Sequence, residues 1–355
     1  MEIRGLPYID GKITSYLFVL DGKKILFDFG TDELTKEEIY NLDYIIISHF
    51  HHDHCFGLLR NYQNISSKCK IIASNTTFNF LVELIENYYE SESKINEVKD
   101  MIEKRMYIAV FNRIFIDNSI SMTFYPSGHT FVSMMVLIES KEKSIFISSD
   151  MDYDASNILR QYSVEGMIKA DYAIIDGTCL DERKFKMDRA LSIKFEQKKD
   201  LYLKFNFDKA IFAGFDLAEK YKDTYIIYQE DLYGFISSLH YSGYDVFYHR
   251  INKIVTQKEY EAMINVGAIK RTPAIFISSE KRYIKGVKNN NFNPNSLFSL
   301  HIVDDDRDEF INNHFTKECK IILGHYDAKI DLEYLKQYCQ SRNFEYIRKG
   351  KHYYG

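Results

Sequence analysis

The residues most able to do chemistry lie together in one short run. His49-Phe50-His51-His52-Asp53-His54 packs four imidazoles and a carboxylate into six positions. Imidazole and carboxylate are ligands suited to Zn²⁺ or Mn²⁺. The order HxHxDH sets His49 and His51 on one side of a turn and Asp53 and His54 on the other, so one tight loop can serve two metal ions. Polar groups this dense are costly to bury unless something satisfies them. His52 falls at the variable position and is not assigned as a ligand. The β-branched run Tyr44 to Ser48 reads as a buried strand that delivers the cluster.

HxHxDH after such a strand resembles the signature of the metallo-β-lactamase fold, and the other motifs of that fold have counterparts in order. Leu26-Phe27-Asp28-Phe29-Gly30 matches the early strand-end Asp, and the resemblance implies that Asp28 supports the metal loop from behind. Ser127-Gly128-His129 matches the next motif, Ile147-Ser148-Ser149-Asp150 the one after, and Leu323-Gly324-His325 the last. The resemblance implies one metal on His49, His51 and His129, a second on Asp53, His54 and His325, and Asp150 bridging both. It also implies two divalent ions, zinc first, with manganese or iron served by the same ligands. A hydroxide held between them is the expected nucleophile, and Asp53 counts among the catalytic residues as well as the ligands.

About 175 residues separate Asp150 from His325. That gap resembles the β-CASP nucleases, such as ribonuclease J, in which an α/β domain interrupts the fold. Ile175-Asp176-Gly177-Thr178 is similar to their added acidic motif, and Phe298-Ser299-Leu300-His301 to their added histidine motif. The resemblance implies that His301 protonates the leaving oxygen and that Asp176 orients it. The sequence departs from the subgroup at Ile302-Val303-Asp304 and at His325-Tyr326-Asp327, where Ala and His-Gly-Glu are usual.

The elements that must position these residues read as follows. Ile13–Leu20 and Lys24–Asp28 form a hairpin around Asp21-Gly22. Thr77–Lys104 is helical, and strands follow at Met106–Ile116, Met122–Tyr125, Met134–Ile138, Ser144–Ser148 and Ala173–Ile175. Lys184–Phe205 reads as a charged helix, with buried strands at Ala210–Phe212, Tyr225–Tyr228, Asp245–Tyr248 and Thr272–Ser278. Lys288–Asn295 is a loop, Arg307–Asn313 a helix, Lys320–Leu323 a strand and Leu332–Ser341 a final helix. The expected fold is α/β: a metallo-β-lactamase αββα sandwich formed by residues 1–182 and 291–355, with a smaller β-CASP-like α/β domain inserted at 183–290.

Composition bounds the rest. In 355 residues, 45% hydrophobic and 27% charged content is that of a globular chain. No window approaches a membrane span, so no membrane partner is expected. Five widely spaced cysteines without a CxxC argue against a disulfide framework and for a reducing, cytoplasmic setting. The net charge of −5 excludes a uniformly basic protein but not a local basic groove, for which Lys184, Lys186, Arg189, Lys281 and Arg282 are the available cations. The 28 Tyr and 26 Phe read first as packing residues, with a base-stacking platform as the alternative.

Taken together, the expectation is a metal-dependent phosphodiesterase that cleaves nucleic acid, single-stranded RNA ahead of DNA, with a homodimer as its self-association. The alternative is a hydrolase of a small ester, thioester, lactone or cyclic nucleotide under an enlarged lid. A non-catalytic scaffold is disfavoured by the complete ligand set.

Overall fold

The computed structural model describes residues 2–117, 119–131, 133–152, 164, 166–180, 195, 198–205, 207–230, 232–233, 236, 253–279, 304–326 and 329–353. In chain order these form β1 (Glu2–Pro7), β2 (Ile13–Leu20), β3 (Lys23–Phe27), α1 (Lys36–Tyr40), β4 (Tyr44–Ile46), α2 (His52–Asn61), β5 (Lys70–Ala73), α3 (Asn75–Tyr88), α4 (Glu92–Glu103) and β6 (Met106–Ile108). Then come β7 (Ile114–Asp117), β8 (Ile120–Pro126), β9 (Met134–Glu139), β10 (Ser144–Ile147), β11 (Tyr172–Asp176), β12 (Leu201–Phe205), α5 (Phe207–Lys220), β13 (Ile226–Tyr228) and β14 (Ile254–Thr256). The last are α6 (Gln257–Asn265), β15 (Ile275–Ser279), α7 (Asp304–His314), β16 (Lys320–Gly324), α8 (Leu332–Arg342), β17 (Glu345–Tyr346) and β18 (Gly350–Tyr353). The chain divides into two compact units, Met1–Phe185 with Leu300–Gly355, and Lys186–Ser299.

The first unit holds two seven-stranded sheets among the described residues, ordered β18-β1-β2-β3-β4-β5-β6 and β17-β16-β11-β10-β9-β8-β7. Side chains alternate across a strand, so each strand serves two cores. Tyr44 and Ile46 of β4, Ile145 and Ile147 of β10, Ile174 of β11 and Ile322 of β16 meet in one core between the sheets. Their neighbours turn outward. Ile45, Ile71 and Ala73 pack under α2, α3 and α4, including Leu58, Leu59, Leu81, Val98 and Ile102. Phe146, Ile175, Ile321 and Leu323 pack under α7 and α8, including Phe310, Ile311, Leu335 and Cys339. Each buried Ile, Leu or Phe contributes about 1.5–3 kcal/mol. The result is the expected αββα sandwich.

The second unit has a four-stranded parallel sheet, β12-β15-β13-β14. Two sequence expectations are corrected here. Leu201–Phe205, read as the end of a charged helix, is strand β12. Ala210–Phe212, read as a strand, lies inside helix α5. Ala210, Ala213, Gly214 and Leu217 are buried at helical spacing, so the apolar run is a helix face rather than a strand core. At Gly214 an added Cβ would lie 1.8 Å from the Tyr228 hydroxyl, which donates to the Ile211 carbonyl at 2.7 Å. The glycine lets β13 approach the helix backbone.

A third correction concerns Met106–Ile116. It is not one strand but two, β6 and β7, at the edges of different sheets. Asn112, left-handed with φ 56°, turns the chain between them, and Asn is among the few residues that tolerate that conformation. Asp245–Tyr248 and the loop Lys288–Asn295 lie outside the described residues. Among those residues, no helix is long and apolar enough to cross a membrane.

Candidate metal centre

The strands explain why the distant motifs meet. β3 runs parallel to β4, and β10, β11 and β16 run parallel to one another. Two successive antiparallel pairings give β8 the direction of β10. Asp28, His49, His129, Asp150, Asp176 and His325 all follow or end one of these strands. Several chain exits are sharpened by left-handed residues: Asp28 (φ 56°), Gly128 (75°), Ser149 (52°) and His325 (50°). For a non-glycine residue such a conformation costs about 1–3 kcal/mol and persists where the surroundings over-determine it. The cluster itself does not form a simple loop as expected. Helix α2 starts at His52 with His51 at its N-cap, so Asp53 and His54 project from the first helical turn, where an acid also suits the helix dipole.

Three groups of ligand atoms come together, each within 4.8 Å of one another. The first is His49, His51, His129 and Asp150. Here His51 Nδ1 lies 3.0 Å from His49 Nε2 and 3.1 Å from His129 Nε2, and Asp150 Oδ2 lies 3.5 Å from His129 Nε2. The second is Asp53, His54 and His325, with Asp53 Oδ2 3.5 Å from His54 Nε2 and 3.8 Å from His325 Nε2. Asp150 Oδ1 reaches toward this second group, 3.6 Å from His54 Nε2 and 2.5 Å from His325 Nδ1. The third joins Asp150, Asp176 and His325. Only Asp53 among the carboxylates of the first two groups opens to solvent, its side chain being 25% exposed against 4% for Asp150.

Buried partners orient these rings. Asp28 Oδ2 accepts from His54 Nδ1 at 2.7 Å, from Ser48 Oγ at 2.9 Å and from Ser149 Oγ at 3.2 Å, while Oδ1 accepts from the Ser48 amide at 2.8 Å. With its Nδ1–H committed, His54 turns Nε2 toward Asp53 and Asp150, and that buried atom has no hydrogen-bond partner among the described residues. A ring nitrogen set between carboxylates, once it gives up the proton they favour, is what a cation satisfies. The donor set therefore fits divalent metal. His49 is held from behind in the same way by the Ser48 hydroxyl at 2.9 Å.

Charge tells the same story. Burial lowers the tendency of His54 to protonate, yet Asp150, Asp53 and Asp28 override it and hold the ring well above the ordinary histidine range. His325 is likewise raised to about 10, against burial, chiefly by Asp150. His49, desolvated and facing other imidazoles, is held well below its ordinary value. Burial would raise Asp53, but the neighbouring His54 and His325 rings leave it well below the usual carboxylate range.

Asp176 is buried at the end of β11. Its carboxylate accepts from the Met151 amide at 3.1 Å and from the Thr178 amide and hydroxyl at 2.8 and 2.6 Å. Thr178 Oγ1 lies 2.8 Å from His325 Nδ1. Asp176 thus ties the Asp150 loop to the His325 loop. His301 lies outside the described residues, as do Lys184, Lys186, Arg189, Lys281 and Arg282. Sequence reasoning missed Ser48, Ser149 and the role of Thr178, since short hydroxyl residues carry no signal until a fold sets them beside a carboxylate.

Comparison with known proteins adds the following. The family model described as Anti-Pycsar protein Apyc1 matches residues 12–177. An uncharacterized protein of Methanocaldococcus jannaschii, MJ0448, is 31% identical over 119 residues, 31% of this chain and 45% of its own length. Endoribonuclease YSH1 of Yarrowia lipolytica is 26% identical over 175 residues, 44% of this chain and 21% of its own. The matches thus span less than half of either curated relative. Among solved structures, a protein of unknown function from Enterococcus faecalis V583 aligns over 99% of both chains with a TM-score of 0.53 and 12% identity. Zn²⁺-bound PqqB from Methylobacterium extorquens aligns over 100% of both with a TM-score of 0.50 and 10% identity. Two stacked mixed sheets, helices on both outer faces and a histidine–aspartate rim at their strand ends give this chain the metallo-β-lactamase fold.

Proposed function

We propose that this chain is a metal-dependent hydrolase with two divalent ions, zinc in the first instance, that cleaves phosphodiester bonds in RNA. His49, His51 and His129 would hold one ion, Asp53, His54 and His325 the other, and Asp150 both. The observation that carries this reading is Asp150, whose two oxygens face the two histidine groups separately. When bound, such ions polarise a phosphoryl oxygen and make water a nucleophile near neutral pH.

The chain's own residues do the rest. Asp53, ionised and open to solvent, orients the attacking water by accepting its hydrogen bond; so acidic a carboxyl is a poor proton store. Asp28 and Ser48 keep His54 and His49 in the tautomers that turn Nε2 inward. Asp176 and Thr178 hold the Asp150 and His325 loops in register. His301, offered by its Phe-Ser-x-His setting, protonates the leaving oxygen, with Asp176 as the carboxylate that steadies it. The similarity to an endoribonuclease over 175 residues supports RNA as substrate.

The test is cleavage of a labelled single-stranded RNA by protein loaded with Zn²⁺ or Mn²⁺. Cleavage is expected, and His301→Ala should abolish it while metal content stays unchanged. If RNA and DNA remain intact while a cyclic dinucleotide or small ester is hydrolysed, the nuclease reading is wrong and a small-molecule hydrolase takes its place.

A further inference from the structure

The two sheets of the first unit each end in a short strand, β6 and β7, joined by residues 109–113. This edge is unusually apolar. Within ten residues Tyr107, Ile108, Val110, Ile114 and Ile116 are all exposed, Ile114 by 63% and Ile116 by 72%. Soluble proteins usually blunt an edge strand with Lys, Pro or a bulge. β7, with the sequence Ile-Phe-Ile-Asp, carries no lysine and no proline. Among the described residues it pairs with β8 alone.

We infer that β7 is the contact strand of a symmetric homodimer, pairing antiparallel with β7 of a second copy about a two-fold axis at Phe115. The sequence Arg113-Ile114-Phe115-Ile116-Asp117 is self-complementary in that register. Ile114 stands opposite Ile116 of the second copy, and Ile116 opposite Ile114, so four exposed isoleucines meet on one face. Phe115 stands opposite its own copy on the other. Arg113, which is exposed, stands opposite Asp117 of the second copy, and this happens twice. Opposite charges facing across a strand pair stabilise it and fix its register, and the same patch on both partners is what a two-fold contact needs. Asp117 is pre-positioned for this. It accepts from the Tyr44 hydroxyl at 2.7 Å and pairs with Lys70, which leaves its place at the strand end set before any copy arrives. In a shifted register the isoleucines and charges fall out of step, so a generic apolar partner lacks this match.

Sedimentation of the full chain from about 1 to 200 μM, the range a modest interface occupies, tests it. The wild-type protein should dimerise reversibly. Ile114→Lys/Ile116→Lys alters two side chains that already face solvent, and it should sediment as a monomer throughout. Arg113→Asp sets like charges opposite each other and should weaken association at least about tenfold. A wild-type chain that stays monomeric over the whole range overturns the proposal. So does a dimer that persists unchanged in both variants.

Discussion

Asp28→Asn is the most informative single substitution. The backbone there is left-handed, φ 56°, which asparagine accepts as readily as aspartate, so the change is confined to the side-chain tip. With its oxygen kept toward the Ser48 amide, the new amide nitrogen takes the place of Oδ2. There it faces His54 Nδ1, Ser48 Oγ and Ser149 Oγ, now 2.7, 2.9 and 3.2 Å away. An amide N–H donates, so His54 must accept at Nδ1 and carry its proton on Nε2, the atom aimed at Asp53 and Asp150. A protonated Nε2 cannot ligate a cation. Losing such a support costs about 10–100-fold in metal affinity, or about 1.4–2.7 kcal/mol. His49 meets Asp28 only through Ser48 Oγ, 2.9 Å from its Nδ1, so it is touched less directly than His54. Calorimetric titration with Zn²⁺, checked by elemental analysis, should therefore show the His54 class of site weakened more than the His49 class. Two unchanged affinities, or weakening confined to the His49 group, would refute the reasoning.

Other consequences follow from contacts already described. Gly30→Ala brings a Cβ to 1.7 Å from the Asp53 carbonyl oxygen; main chain must move, so the melting temperature and metal content of the Asp53 group should both drop, and an unchanged pair of values would contradict this packing. Gly214→Ala meets the Tyr228 hydroxyl at 1.8 Å and its ring Cζ at 2.3 Å and should cost about 1–3 kcal/mol by overpacking; denaturant titration against the wild-type protein decides it. In the metal-free protein His54 and His325 hold protons against the carboxylates, His325 up to about 10. The stability this gives His325 is complete below its ordinary pKa and is lost as pH rises through the folded value. Cations must displace those protons, so affinity should rise with pH and binding near pH 7 should release about one to two protons. Heats that do not depend on the buffer's ionisation enthalpy would contradict this.

The residues of the candidate centre were legible in the sequence because their chemistry is rare and their setting repetitive. His49 to His54, His129, Asp150 and His325 stand out as polar groups closing β-branched strands, and period-2 burial made those strands readable. Helix α5 was not legible, because a short apolar run buries equally well as strand or helix and only β13 beside Gly214 selects between them. The division of Met106–Ile116 rested on Asn112 and on which sheet had a free edge, and neither is a local property. What the sequence by itself determined was the inventory of candidate ligands and the alternation that builds two sheets. The tertiary structure alone decided that Asp150 faces both histidine groups, that Ser48 and Ser149 serve Asp28, and that Asp176 binds two loops. Those outcomes depend on which strand ends share a rim, and sheet order over hundreds of residues is set by the summed packing of both cores rather than by any one segment.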